Sequence, residues 1–134
     1  MSGDAPSGNR HDARERAFHL LYESEMKGSS GEDVLAALPI EPDEFAMELV
    51  AGVDAHRDEI DRVIGDHAHN WDVDRMPALD RAILRLATFE LLHRPDVPTA
   101  VVISEAVELA KSYSTDGSGR YVNGVLSAVA GEVR

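Results

Sequence analysis

The chain has 134 residues, a net charge of −12, 43% apolar and 28% charged residues, and no cysteine. This composition is typical of one soluble globular domain, and it excludes a disulfide framework, a thiolate metal site and a cysteine nucleophile. Residues 30–74 hold thirteen acids and two arginines, a net of −11, so the rest of the chain has a net charge of only −1. Local basic patches are therefore compatible with the acidic total.

The N-terminal segment, residues 1–9, is small and polar and is predicted to be a disordered tail. It lacks the apolar core of a signal peptide, and no apolar stretch in the chain reaches the ~20 residues of a membrane span. We therefore expect a cytoplasmic protein that does not contact a membrane.

Apolar residues recur at steps of three and four along the first half of the chain, which predicts amphipathic helices. The predicted helices are Arg10–Lys27, a short helix that begins near Ser30 and stops before Pro39, and one long helix Asp43–His69.

The second half begins with Leu79–His93, which is apolar almost all round and is therefore predicted to be a central, buried helix. A helix from Pro98 to Tyr113 and a final helix that carries Val122 to Val133 follow. No hairpin signal interrupts this series, so the predicted fold class is all-α, a compact bundle of about six or seven helices.

Signatures of catalysis are missing: the sequence has neither a phosphate-cradling glycine loop nor a nucleophile elbow. The six histidines are scattered, and His67 and His69 fall on different sides of a helix. We expect no enzymatic activity, no cofactor and no metal. Glu90 lies in an apolar arc, and it is predicted to cap a neighbouring helix or to pair with an arginine.

The first candidate site lies on the first helix, where Arg10, Arg14, Phe18 and Tyr22 are each four residues apart and form one slanting ridge. With Arg16 nearby, this pattern suits phosphates and one stacked base. An ordinary helix surface gives the same pattern.

The second candidate site is the segment from Ser118 to Gly124. Ser118 is expected to cap the last helix, whose N-terminal N–H groups then face an anion. Arg120 adds charge, Tyr121 a stacking face and Asn123 a donor and acceptor for a base edge. The alternative is a capped helix in which Tyr121 and Asn123 pack inside.

Five segments, in order along the chain, resemble the NusB transcription antitermination family. They are residues 10–22, 49–53, 80–91, 96–111 and 121–126, of which the last two, ending in the sequence YVNGVL, are the most similar. Together they span nearly the whole chain after the tail.

The resemblance implies a single RNA-binding helical domain, residues 10–134, built of two small subdomains at about residues 10–73 and 74–134. It implies binding of single-stranded boxA-type RNA together with NusE, a protein of the small ribosomal subunit. In the family this pair helps the RNA polymerase antitermination complex to read through terminators, notably in ribosomal RNA operons. Some members form homodimers, so a second copy of this chain is a further candidate partner.

The same resemblance implies which residues make these contacts. The first helix and the start of the last helix are expected to contact RNA, through Arg10, Arg14, Arg16, Arg120, Tyr121 and Asn123. The partner surface is expected around Tyr22 and the helix that carries Asp80.

A helical adaptor without RNA binding of its own is the alternative function. Its acidic face, residues 30–74, would then dock a basic protein.

The RNA-binding interpretation predicts where particular side chains lie. Arg14 and Arg120 should share one RNA-facing surface, because each cluster alone carries few charges. Tyr121 should stack on a base, with Val122 and Val125 in the core. Since a net charge of −12 repels RNA at long range, a basic partner should raise RNA affinity.

Overall fold

The computed structural model describes residues 7–68 and 72–134, which form seven α-helices and one short 3₁₀ turn and contain no strand. The helices are α1 Ser7–Lys27, α2 Gly31–Ala36, α3 Glu44–Ala55, α4 Arg57–His67, α5 Ala78–His93, α6 Thr99–Tyr113 and α7 Ser118–Val133, with the turn at Val73–Arg75. The all-α prediction is confirmed. None of these helices has the length and apolar character needed to cross a membrane.

The first predicted boundary differs from the structure, because α1 begins at Ser7, three residues before the predicted start at Arg10. The predicted tail therefore overlaps the helix at residues 7–9, and residues 1–6 lie outside the described residues. The predicted helix end at His69 lies outside them as well.

The predicted long helix Asp43–His69 is wrong, because His56 divides it into α3 and α4. The backbone of His56, at φ −117° and ψ 23°, leaves the helical region. Helical hydrogen bonds persist on both sides, from the His56 N–H to the Gly52 carbonyl and from the Ile60 N–H to the His56 carbonyl. The kink lets α3 pack on α1 while α4 packs on α5 and α7.

Helix α5 is the centre of the molecule, as its all-round apolar pattern predicts. Every residue from Ala82 to Leu91 is buried, and the helix contacts α1, α3, α4, α6 and α7. One hydrophobic cluster takes side chains from all seven helices. The division into subdomains near residues 73 and 74 stays a prediction.

One glycine allows α3 to approach α5 closely. A Cβ atom added at Gly52 would lie 2.2 Å from Cζ of Phe89, so only glycine leaves room for this ring. Phe89 is 5% exposed and fills the space between the two helices.

The helix ends use side-chain caps at several places. The side chain of Ser30 accepts a hydrogen bond from the Asp33 N–H at the start of α2, the helix predicted to begin near Ser30. The guanidinium of Arg134 donates to the carbonyl oxygens of Glu90, Leu91, Arg94 and Val97, and so satisfies carbonyl groups at the end of α5.

Candidate nucleic-acid and partner interface

Arg14 is buried, with 4% of its surface exposed, and its guanidinium forms two hydrogen bonds with Glu90 of α5. Nε donates to Oε2 and Nη2 donates to Oε1, both at 2.9 Å. The prediction that Glu90 pairs with an arginine is therefore confirmed. Val102 and Leu109 of α6 close the space around the pair.

This burial corrects the prediction that Arg14 and Arg120 share one RNA-facing surface. The middle of the predicted ridge faces the protein interior, because Phe18 is also fully buried. Helix α1 packs against α3 and α5, and two of its side chains form hydrogen bonds with α6. A guanidinium that is used by a buried carboxylate is not available to a phosphate.

The other two arginines of α1 remain accessible. Arg16 is exposed, and Arg10 is half-buried with Cζ 4.4 Å from the centre of the Phe45 ring. Neither forms an ion pair with a carboxylate in residues 7–68 or 72–134. Both are free to meet an anion, although they lie on different sides of the helix.

Next to Arg14, an ion pair joins the start of α1 to α6. Nδ1 of His11 lies 2.7 Å from Oε1 of Glu105. The hydrogen bond with Glu105, and then the charge of that carboxylate, raise the pKa of His11 above 6.5. Glu105 also lies 4.0 Å from Nη1 of Arg14, so a line of alternating charges runs from the surface to Glu90.

A second accessible region is an open groove between α6 and α7, here called the α6–α7 groove. Ile103 and Val107 form its half-buried apolar floor, while Lys111, Arg120 and Asn123 are exposed at its rim. Within the described part of the chain, neither Lys111 nor Arg120 is paired with a carboxylate. Glu108 and Asp116, both exposed, also line the groove, so its charge is mixed; the apolar floor suits a base, and Lys111 and Arg120 suit a phosphate.

Lys111 was not found by sequence reasoning. Its side chain packs against the start of α7, since a Cβ added at Gly119 would lie 3.3 Å from Cγ of Lys111. The only signal in the sequence was a lone cation in the last turn of α6, one of two lysines in the chain.

Tyr121 is half-buried and packs against the core cluster, whereas Val122 and Val125 are buried as predicted. The Tyr121 hydroxyl is buried and has no hydrogen-bond partner among the described residues. Burial, and secondarily the charge of Asp80, raise the pKa of this phenol. Stacking of the ring on a base stays a prediction.

Asp80 is buried at the start of α5 and is engaged within the chain. Its carboxylate accepts hydrogen bonds from Oγ of Ser114 at 2.6 Å and Oγ of Ser118 at 3.1 Å. Ser118 is the first residue of α7, and its side chain bonds Asp80 instead of capping the helix, which corrects the predicted cap. Asp80 therefore holds the α6–α7 loop in place, and contact of a partner with the helix that carries Asp80 stays a prediction.

Tyr22 of α1 is half-buried. His19 and Met26, about one helical turn before and after it, are exposed. The Tyr113 ring, 37% exposed, lies 5.4 Å from the ring centre of Phe18 and 4.8 Å from that of His19. Its hydroxyl donates to Glu15. Met26 is 55% exposed further along α1. This aromatic surface was not found by sequence reasoning, because it joins two helices that are far apart in the sequence.

Two groups of side chains have the atoms to hold a metal ion. Among residues 7–68 and 72–134 they are His56, Glu59 and His93, and His11, Asp12 and Glu15. Neither group touches the α6–α7 groove.

The helix order, the α6–α7 groove and the exposed side of α1 define a small all-α binding domain. The family model "NusB family" matches residues 11–131, and the chain belongs to this family.

Curated relatives match over most of their length. The chain is 48% identical over 130 residues to the transcription antitermination protein NusB of Saccharopolyspora erythraea, covering 92% of this chain and 88% of that protein. It is 46% identical over 133 residues to the transcription antitermination protein NusB of Myxococcus xanthus, covering 92% of this chain and 95% of that protein.

Solved structures match over a similar range. T. maritima NusB is similar with a TM-score of 0.84 and 35% identity, covering 96% of this chain and 93% of that chain. A chain in the crystal structure of antitermination factors NusB and NusE in complex with dsRNA is similar with a TM-score of 0.79 and 30% identity, covering 94% of this chain and 98% of that chain.

Proposed function

We propose that this chain is a non-catalytic transcription antitermination factor of the cytoplasm. It binds single-stranded boxA-type RNA together with NusE, and it acts in the RNA polymerase complex that reads through terminators in ribosomal RNA operons. The similarity to relatives that carry this name, over nearly the whole chain, is the observation that supports the proposal most strongly. The similar chain in a complex of NusB, NusE and dsRNA supports the choice of partners.

The proposed RNA contacts follow from exposure and from free charge. Arg120, Lys111 and Asn123 at the α6–α7 groove, together with Arg10 and Arg16 on α1, present donors to phosphates and base edges. Arg14 supports this surface from inside, because its pairing with Glu90 fixes α1 on α5. Only part of the Tyr121 ring is accessible to RNA, since its hydroxyl is buried.

The proposed partner surface is the exposed side of α1 around Tyr22, extended by His19, Met26 and Tyr113. Large aromatic and methionine side chains are common anchors of protein interfaces. Glu15 lies beside them and gives this surface a negative charge that suits a basic protein.

The net charge of the chain predicts that RNA and NusE bind cooperatively. The chain's net charge of −12 repels RNA, and a basic protein bound near Tyr22 reduces that repulsion. Partner and RNA then raise each other's affinity by the same factor.

The test is a titration of labelled boxA RNA into the chain, with and without NusE, at two salt concentrations. Arg120→Ala should weaken binding and reduce the slope of log affinity against log salt by ~0.7, the value for one lost contact to single-stranded RNA. Arg62→Ala is the matched control, because Arg62 is exposed on α4 and is paired with Asp66. It removes the same charge away from the groove.

The outcomes separate the proposal from its alternative. Equal losses for Arg120→Ala and Arg62→Ala would show an effect of net charge only and would contradict a site at the groove. Binding of NusE without any binding of RNA, alone or in the mixture, would favour an adaptor that uses its acidic face.

A further inference from the structure

Three side chains with metal-ligating atoms meet where α3 turns into α4 and α5 ends. Oε1 of Glu59 lies 2.9 Å from Nε2 of His93 and 3.7 Å from Nδ1 of His56. The two imidazole rings lie 4.0 Å apart, centre to centre, at an angle of 25°. One ligand atom from each of the three residues lies within 4.8 Å of the others.

This arrangement depends on the fold rather than on the sequence spacing. The kink at His56 directs α4 across α5, and Gly52 admits the Phe89 ring beneath the cluster. The centre of the Phe89 ring lies 6.1 Å from that of His56 and 5.5 Å from that of His93. The expectation that no metal binds rested on scattered histidines, and the fold brings two of them together.

The electrostatic surroundings favour a cation. His93 is the last residue of α5, so the partial negative charge of that helix C-terminus lies here, whereas at His56 the C-terminus of α3 and the N-terminus of α4 oppose each other. The neighbouring cations are compensated by carboxylates. Arg57 pairs with Asp54, and Arg94 pairs with Asp96 and a second carboxylate, Glu48.

We propose that His56, Glu59 and His93 form a binding site for a divalent transition metal ion of the zinc type. Two imidazoles and one carboxylate, with water in the fourth position, are a common ligand set of Zn²⁺. Tetrahedral ligands ~2.1 Å from the ion are ~3.4 Å apart, and the distances of 2.9 and 3.7 Å from Glu59 bracket this separation.

The ion requires one local rearrangement. The two rings are stacked, so they must rotate about Cβ–Cγ until both planes pass through the ion. The side chains are 41%, 44% and 32% exposed for His56, Glu59 and His93, which leaves room for this rotation. The ion then takes the place of the hydrogen bond between His93 and Glu59, and the neutral His93 ring binds it through Nε2 while its proton lies on Nδ1.

A bound ion joins the start of α4 to the end of α5. It adds a link between the kinked helix pair and the central helix, and it therefore stabilises the folded chain by an amount that grows with the logarithm of zinc concentration over Kd. The site is separate from the α6–α7 groove, and its test uses the chain without RNA or NusE, so a failure of the proposed function would leave the result of that test unchanged.

The test is a calorimetric titration of the EDTA-treated, dialysed chain with ZnCl₂, followed by NMR of the histidine ring protons. We expect one site, ring shifts at His56 and His93, and a higher melting temperature with zinc. Glu59→Gln and His93→Gln should each lower zinc affinity at least about tenfold, that is by ~1.4 kcal/mol of binding free energy. Circular dichroism shows that each variant is folded.

His67→Gln is the matched control, because His67 forms a 2.7 Å pair with Glu132 on another face and belongs to neither metal-ligating group. It should leave zinc binding unchanged. The proposal is overturned if zinc does not bind, or if folded Glu59→Gln and His93→Gln variants bind it like the parent chain. Loss of binding in His11→Gln alone would also overturn it, because the ion would then sit at the group on α1.

Discussion

Two regions of this protein carry arginines that the sequence predicts to bind RNA, and the fold uses them in opposite ways. On α1, Arg14 is turned inward against Glu90, and Arg10 is half-covered beside Phe45. At the α6–α7 groove, Arg120 is exposed and unpaired within the described residues. Both regions present arginine near the start of a helix, whereas the burial of the side chains differs.

The difference teaches that the carboxylate partner decides what an arginine does. A buried carboxylate such as Glu90 requires a cation, and the nearest one on α1 supplies it. The carboxylate buried next to the start of α7 is that of Asp80, but the hydroxyls of Ser114 and Ser118 satisfy it. Arg120 is therefore left free for a ligand.

The largest expected effect is loss of the buried ion pair. Arg14→Ala leaves the Glu90 carboxylate buried without a partner and should lower the free energy of unfolding by about 3–5 kcal/mol. Urea unfolding measures it. Arg16→Ala, an exposed change on the same helix, should stay within about 0.5 kcal/mol of the parent. A stable Arg14→Ala variant that fails only in RNA binding would reverse the comparison.

The second effect concerns Asp80, the carboxylate that is buried at the start of α5. Asp80→Ala removes the acceptor of two serine hydroxyls and should destabilise the fold by about 1–3 kcal/mol. Asp80→Asn keeps an acceptor oxygen and should cost less. Thermal unfolding of the two variants measures the difference. Unchanged melting temperatures with loss of NusE binding would show instead that Asp80 contacts the partner directly.

The third effect separates the ring of Tyr121 from its hydroxyl. Tyr121→Phe removes a buried hydroxyl that has no described hydrogen-bond partner, and it should leave stability equal or raise it by up to about 1 kcal/mol. RNA affinity should not change, because any stacking uses the ring. Weaker RNA binding at unchanged stability would place the hydroxyl in the RNA site.

The smallest effect is the pH dependence of the pair between His11 and Glu105. The pKa of His11 is raised on folding, so the pair stabilises the fold below pH 6.5 and this contribution is lost as pH rises through the folded-state pKa. His11→Ala should therefore cost more at acidic than at alkaline pH, by less than about 1 kcal/mol for so exposed a pair. NMR titration should give a pKa above 6.5 that falls in Glu105→Gln. An unchanged pKa in that variant would contradict the assignment.

The sequence predicted the helices well because apolar spacing is a local property. It did not predict the kink at His56, since helical hydrogen bonds and side-chain spacing continue on both sides and no proline or glycine stands at that position. It also gave an arginine partner as one of two alternatives for Glu90, and it did not identify Arg14 as that partner. That pairing depends on how α1 is rotated against α5, which is a tertiary property.

The sequence predicted the functional surfaces only in part, because these surfaces also depend on tertiary contacts. Spacing of four residues aligns Arg10, Arg14 and Tyr22 on one side of α1, but it does not tell whether that side faces solvent. The meeting of Tyr113 with α1, and of His93 with His56, joins residues that are distant in the chain. No local pattern reports such contacts.

Arg134 has a consequence for the dynamics of the bundle. Its guanidinium binds carbonyl oxygens at the end of α5 and, through Val97, the connection to α6, so the last turn of α7 cannot open without exposing them. Terminal turns of helices normally fray and exchange their amide protons quickly. In this protein the amide protons of the last turn of α7 should exchange at rates close to those of the end of α5, because the two ends open as one cooperative unit.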